Sequence, residues 1–446
     1  MSHDSQQTIL FGECQGSGSK PYIVSADFIN PHSATFRCTC PSRKFPCKHG
    51  LGLLYAFRQG KNFSIEEIPA DIAEKRQKLA GRQEKKAAPG EAPPKEKNAA
   101  QSQTARLKKT EAQLDGLSIA ETALHSLIRD GFGAITPKAV DGLEKRLKQL
   151  GDAYLPGVQR EFRALLNGLK EDEGSDREVF YSEAFNRAVR LGLLLRRGKD
   201  ALQQKQGDPA CCAPEVLEVE TLLGHAWQLS ELDGLGLVEK DARLMQLAFT
   251  SFDDEAALSF EDLGLWASLS DGAIIRTRNI RPYKAAKHIA AADSIFGLLH
   301  TPVLYRYPGS AFPRARWDSF TLSDPSPEDY ARLLSFAAPD LAGAIRQARE
   351  VLKNPLAESA PFALLRFDDI GIFEGRVLLR APSGQKIEMI DSPDAIWPPS
   401  MAVLKGISLS AFKAAFGRFN WRPGEETITF SPLSLIGEGS VFRLGF

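Results

Sequence analysis

Residues 36–49 read FRCTCPSRKFPCKH, a stretch that holds three of the chain's six cysteines and one of its seven histidines and contains no acidic residue. The spacing is Cys38-x-Cys40, six residues, then Cys47-x-His49. Three thiolates and one imidazole are the donor set of a closed, tetrahedral, structural zinc site. Residues two apart in a strand project from the same face, so Cys38 and Cys40 can grip one ion without distorting the backbone. Pro46 suits a helix start, which puts Cys47 and His49 where the chain turns into a helix. The competing reading is three buried, reduced thiols beside a satisfied histidine. Four donors within twelve positions, amid Arg37, Arg43, Lys44 and Lys48, form no apolar stripe, and metal is the better account. Three thiolates around Zn²⁺ leave a formal charge of −1 that such cations would stabilise.

The flanks complete a small module. TILFGEC, PYIVSADF and ATFRC read as strands, with a glycine-rich loop and an NPHS turn between them. CKHGLGLLYAFRQG reads as a short helix with Leu51, Leu54 and Phe57 at three-residue steps. The order C-x-C, short spacer, C-x-H, behind strands and running into a helix, resembles the SWIM-type zinc finger, a ββα module, and its bacterial members in particular. The resemblance covers about residues 8–60 and implies Cys38, Cys40, Cys47 and His49 as ligands of one structural zinc ion per chain. It also implies binding of DNA or protein rather than catalysis.

At 446 residues the chain is too long for one ordinary core. Residues 80–105 carry almost no apolar side chain larger than alanine, and an Ala/Pro/Lys/Glu-rich linker is expected over 80–110. From 113 to 206, apolar residues recur at three- and four-residue steps, predicting a bundle of antiparallel helices. From 215 to 446, short alternating runs such as FALLRFDD, GRVLLRAP and QKIEMID alternate with SPEDYARLLSFAAPDLAGAIRQAREVLK, read as helix behind a Ser cap. The expected fold is therefore multidomain α+β: a ββα-type finger at 8–62, a helical middle, and an α+β C-terminal region with hairpins.

Net charge is zero, but residues 1–112 hold 18 Lys+Arg against 11 Asp+Glu, whereas residues 113–446 hold 38 against 45. Most of the N-terminal excess falls in residues 73–112, with 11 basic and 5 acidic side chains, as expected of a solvated linker. The opening has no basic start followed by an apolar run, and no apolar stretch approaches the roughly 20 residues of a membrane span, so a cytoplasmic location is expected and no membrane partner. The sequence contains no H-E-x-x-H, G-x-S-x-G, G-x-G-x-x-G or phosphate-loop pattern, and no catalytic residue is assigned. His125, His225, His288 and His300 are isolated, the pairs Asp253-Asp254 and Asp368-Asp369 read as acidic turns, and Cys14, Cys211 and Cys212 receive no role. The favoured function is an interaction adaptor that uses the finger to recognise a protein partner. The first alternative is a DNA or RNA binder using Arg37, Arg43, Lys44, Lys48 and Phe45 with the basic linker. The second is an enzyme whose site lies in the C-terminal half.

Overall fold

The fold is that of a computed structural model, and it describes residues 1–15, 21–29, 34–40, 47–69, 72–74, 76, 99–134, 137–169, 177–357, 360–421 and 427–445. Arg43, Lys44, Phe45 and the expected linker between 80 and 98 lie outside the described residues. The chain divides into two compact units, residues 1–99 with 292–297, and residues 100–291 with 298–446.

In the first unit, strands β1 (Ser2–His3), β2 (Ile9–Cys14), β3 (Tyr22–Asp27), β4 (Thr35–Cys38) and β5 (Ser64–Ile65) form a sheet in the order β4-β3-β2-β1-β5. Helix α1 (Lys48–Arg58) follows the cysteine loop as expected, but it buries Leu53 and Ala56, and Leu51 of the expected apolar stripe is exposed. Alternation along the strands gives the sheet two buried faces. Leu10, Val24 and Ala26 pack with Leu53 of α1 on one side, while Ile9 and Phe11 pack with Ile72 on the other. The sheet takes in Ser2–His3 and Ser64–Ile65, beyond the expected span of 8–62.

The second unit opens with helix α2 (Ala99–Asp130), followed by α3 (Pro137–Asp152), α4 (Pro156–Gly168), α5 (Arg177–Gly207), α6 (Pro214–Leu223) and the short α7 (Leu229–Gly234). Residues 99–110, expected as linker, are helical. The segment AAQSQTARLKKT is poor in large apolar side chains but rich in good helix formers, so it continues α2 as regular helix. Further along α2, Leu117, Ala120, Leu124 and Leu127 are buried at helical spacing against Phe162 and Leu165 of α4 and Leu191 and Leu195 of α5. Backbones meet where α4 crosses the end of α6: a Cβ on Gly157 would lie 1.9 Å from the Leu222 carbonyl oxygen.

Two sheets follow. The first contains β6 (Val238–Asp254), β7 (Ser259–Ser268), β8 (Ile274–Pro282), β9 (Leu298–Arg306), β10 (Ala315–Arg316) and β11 (Thr321–Ser323), ordered β10-β9-β6-β7-β8 with β11 also on β9. Helices α8 (Pro327–Ser335) and α9 (Leu341–Leu352) come next. Expected as one helix, they are separate because Pro339 disfavours helical backbone at Ala338, which instead bridges to Leu365. The expected Ser cap is Ser326, which forms a capping box with Asp329, and Asp340 caps α9. The second sheet contains β12 (Phe362–Arg366), β13 (Asp369–Phe373), β14 (Arg376–Arg380), β15 (Lys386–Met389), β16 (Phe412–Trp421), β17 (Ile428–Gly437) and β18 (Val441–Arg443), ordered β12-β16-β17-β15-β14-β13 with β18 on β17. Its central strands are buried on both faces: Ala414 and Phe416 pack with Leu247 and Leu265 of the other sheet, and Ala415 and Phe419 pack on the α9 side. β17 is buried along almost its whole length, Thr429, Ser431 and Ser434 included.

Candidate metal centre

Cys38 is the last residue of β4, Cys40 lies just beyond it, Cys47 is the N-cap of α1, and His49 stands in that helix's first turn. One potential donor atom from each of these residues lies within 4.8 Å of the others, and among the described residues no other group of three or more His, Cys, Asp or Glu side chains does so. The His49 Nδ1 is 3.6 Å from the Cys38 Sγ and 3.9 Å from the Cys47 Sγ. A tetrahedral ion with its sulfurs about 2.3 Å away and its nitrogen about 2.0 Å away would set sulfur to nitrogen at roughly 3.6 Å. The donors therefore fit zinc in number, type and spacing.

Charge supports the same conclusion. Burial, with the Cys47 and Cys40 thiols also acting as neighbours, pushes the Cys38 thiol up to about 12 when no cation stands between them. Such crowded sulfurs become thiolates only around a positive ion, which deprotonates the thiols that bind it. The resulting formal −1 charge faces the N-terminus of α1, where the helix dipole is positive, and Lys48 stands at the first helical position. The Tyr22 ring packs 4.9 Å from the His49 ring, tilted 41° to it. Sequence reasoning missed this contact, although Tyr22 shares the face of β3 that carries Val24, the strand partner of Cys38.

Arg37 forms an ion pair on the sheet. Because it neighbours Cys38 in a strand, its side chain emerges on the opposite face, where it lies 3.3 Å from Asp27. Asp27 is also held by Arg76 at 2.6 Å, and Arg76 reaches the Thr8 carbonyl. This brace ties Arg76 to the reverse of the sheet. Among the candidate contact residues within the described chain, Lys48 remains exposed on α1.

The other single candidates have local partners. Cys14 ends β2 and packs beside the finger core, Cys211 packs against the helical core, and the exposed Cys212 donates to the Ala210 carbonyl. His225 lies 3.2 Å from Glu231, and His300 lies 2.9 Å from the Ser323 hydroxyl. Asp254 accepts from Arg160, and Asp253 accepts from the Tyr283 hydroxyl.

Residues 24–57 match the SWIM zinc finger family. That span contains all four donors and α1 almost to its end, so the chain carries a SWIM zinc finger with one structural zinc ion. No curated protein matches the chain. Two solved structures show a remote likeness. One, described as "Structural mimicry for functional antagonism", is 8% identical and covers 46% of this chain and 94% of its own, with a TM-score of 0.19. The other, described as "Molecular basis for abrogation of activation of pro-inflammatory cytokines", is 12% identical and covers 44% of this chain and 89% of its own, with a TM-score of 0.16. Overlaps this poor carry no argument about fold or function. Among the described residues, no helix is long and apolar enough to cross a membrane.

Proposed function

We propose that the zinc finger is a recognition module for a protein partner and that the chain is an interaction adaptor in the cytoplasm, where reducing conditions keep the donor thiols available. The observation that carries this reading is the outer face of α1. His49, Leu53 and Ala56 turn inward, while Leu51 is 44% and Tyr55 66% exposed, one helical turn apart and flanked by Lys48 and Arg58. An exposed aliphatic and aromatic pair with a cation at each end suits an apolar anchor site rimmed by carboxylates. A four-donor site leaves no open position for activated water, so the metal orders this face rather than reacting.

The test replaces Tyr55 with a photo-crosslinking phenylalanine analogue in the full-length chain. The reading expects one discrete protein adduct in cells, lost when Leu51→Ser is added or when Cys47→Ser removes the metal. Adducts to nucleic acid, with binding that weakens steeply as salt rises, would instead select the nucleic-acid alternative. Adducts unaffected by both substitutions would remove the finger from recognition altogether.

A further inference from the structure

A groove in the second unit lies between α9 and the turn joining β14 to β15. It is a concavity of about 570 Å³ whose lining includes Leu341, Ile345, Arg346, Arg349, Gln385 and Lys386. That volume falls in the range of about 300–1,000 Å³ typical of ligand sites. Its floor is apolar, since Leu341 belongs to the core under α9 and Ile345 packs against it. Its walls carry three cations and no carboxylate. Arg346 has Asp340 at 3.6 Å, but among the described residues Arg349 and Lys386 have no carboxylate within ion-pair distance.

Each of these two cations sits over an exposed ring. The Arg349 guanidinium is 5.4 Å from the centre of Trp421, which is 42% exposed, and the Lys386 ammonium is 5.7 Å from the centre of Phe373, which is 59% exposed. Ile372, beside Phe373, is 70% exposed. The groove is also braced. The Gln385 side chain accepts from the Ala342 amide at 3.0 Å and from the Ser383 hydroxyl at 3.1 Å, which ties the turn to the first turn of α9. A preformed groove spares a ligand the cost of ordering it.

From these observations we infer that the groove between α9 and the β14–β15 turn is a docking site for an acidic peptide segment with an apolar anchor, which seats on Leu341 and Ile345 while its carboxylates meet Arg349 and Lys386. Trp and Arg, which dominate the binding energy of protein interfaces, stand together at its rim. The charge balance favours peptide over nucleic acid. Residues 113–446 carry 38 Lys+Arg against 45 Asp+Glu, a net acidic balance that opposes a long phosphate backbone more than a short acidic segment. This site stands independently of the recognition role proposed for the finger and would give an adaptor its second point of attachment.

The test pans a random peptide library displayed on phage against the immobilised full-length chain, in parallel with an Arg349→Glu/Lys386→Glu variant. Both side chains are exposed, so the variant's circular dichroism and melting should be unchanged. If the melting shifts, Arg349→Gln/Lys386→Gln takes its place. The proposal expects enriched sequences with several carboxylates around an aliphatic or aromatic residue, binding about tenfold or more weakly to the variant. Binding of these peptides should survive Cys47→Ser, which separates this site from the finger. Enriched sequences that are not acidic, or that bind the variant equally well, would overturn it. So would labelled oligothymidine that binds the parent chain and is displaced by the same substitutions.

Discussion

At Asp27 two opposed effects meet. Burial disfavours its charge, while the Arg76 guanidinium, the Ile29 amide and Arg37 together outweigh burial and hold its carboxyl below the ordinary carboxylate range. The folded state thus binds this proton less tightly than the unfolded chain. The stabilisation is complete above the unfolded value of about 4 and is lost as pH falls through the depressed folded value. Asp27→Asn should destabilise the finger by about 1–3 kcal/mol at neutral pH, because it removes the charged acceptor from the partly buried Arg76 guanidinium. The gap between variant and parent should narrow on acidification. Amide exchange of residues 9–12 measures both effects, and a gap that widens at low pH would show that the pair does not govern this face. Ser326 offers a smaller test: Ser326→Ala removes the acceptor for the Asp329 amide and should cost about 1 kcal/mol in thermal unfolding.

Among the elements, α1 and the crossing of α4 with α6 depend on different physics. The fully buried apolar residues shared by α1 and its sheet are Leu10, Val24, Ala26 and Leu53, a small core. Structural zinc contributes about 10–16 kcal/mol in comparable small sites, more than such a core supplies. Cys40→Ala should therefore unfold α1 and the sheet, and an unchanged amide spectrum for residues 9–58 after metal loss would refute a structural role for the ion. At the helix crossing no metal is involved, only contact between backbones. Gly157→Ala would drive a methyl group into the Leu222 carbonyl and separate α4 from α6, with an expected loss of about 1–3 kcal/mol in denaturant unfolding. An unaffected midpoint would mean that the crossing yields freely.

Over the whole molecule, the two units draw stability from separate sources, metal in one and large apolar cores in the other. All five tryptophans, Trp227, Trp266, Trp317, Trp397 and Trp421, belong to the second unit. Chelation of the full-length chain should thus abolish the dispersed amide signals of the finger while leaving tryptophan fluorescence and its thermal midpoint unchanged. A parallel shift in fluorescence would show that the second unit also depends on the metal.

Much of the finger was legible in the sequence because its determinants are local. Four donors within twelve residues are held near one another by the chain itself, and strand alternation and helical spacing set which face each side chain takes. The same alternation, applied to Arg37, would have placed it behind the sheet, but its partners could not be read: Arg76 reaches Asp27 across 49 residues, and nothing local announces that contact. The division of α8 from α9 is signalled by Pro339, although the apolar period continues through it. What tertiary structure alone decided is the assembly of side chains distant in sequence: Arg349 over Trp421, Lys386 over Phe373, Gly157 against Leu222. The zinc site and the period of most elements follow from neighbours along the chain. The groove beside α9 and the brace at Asp27 were decided by packing, since each requires segments that meet only when the apolar faces of sheets and helices bury one another.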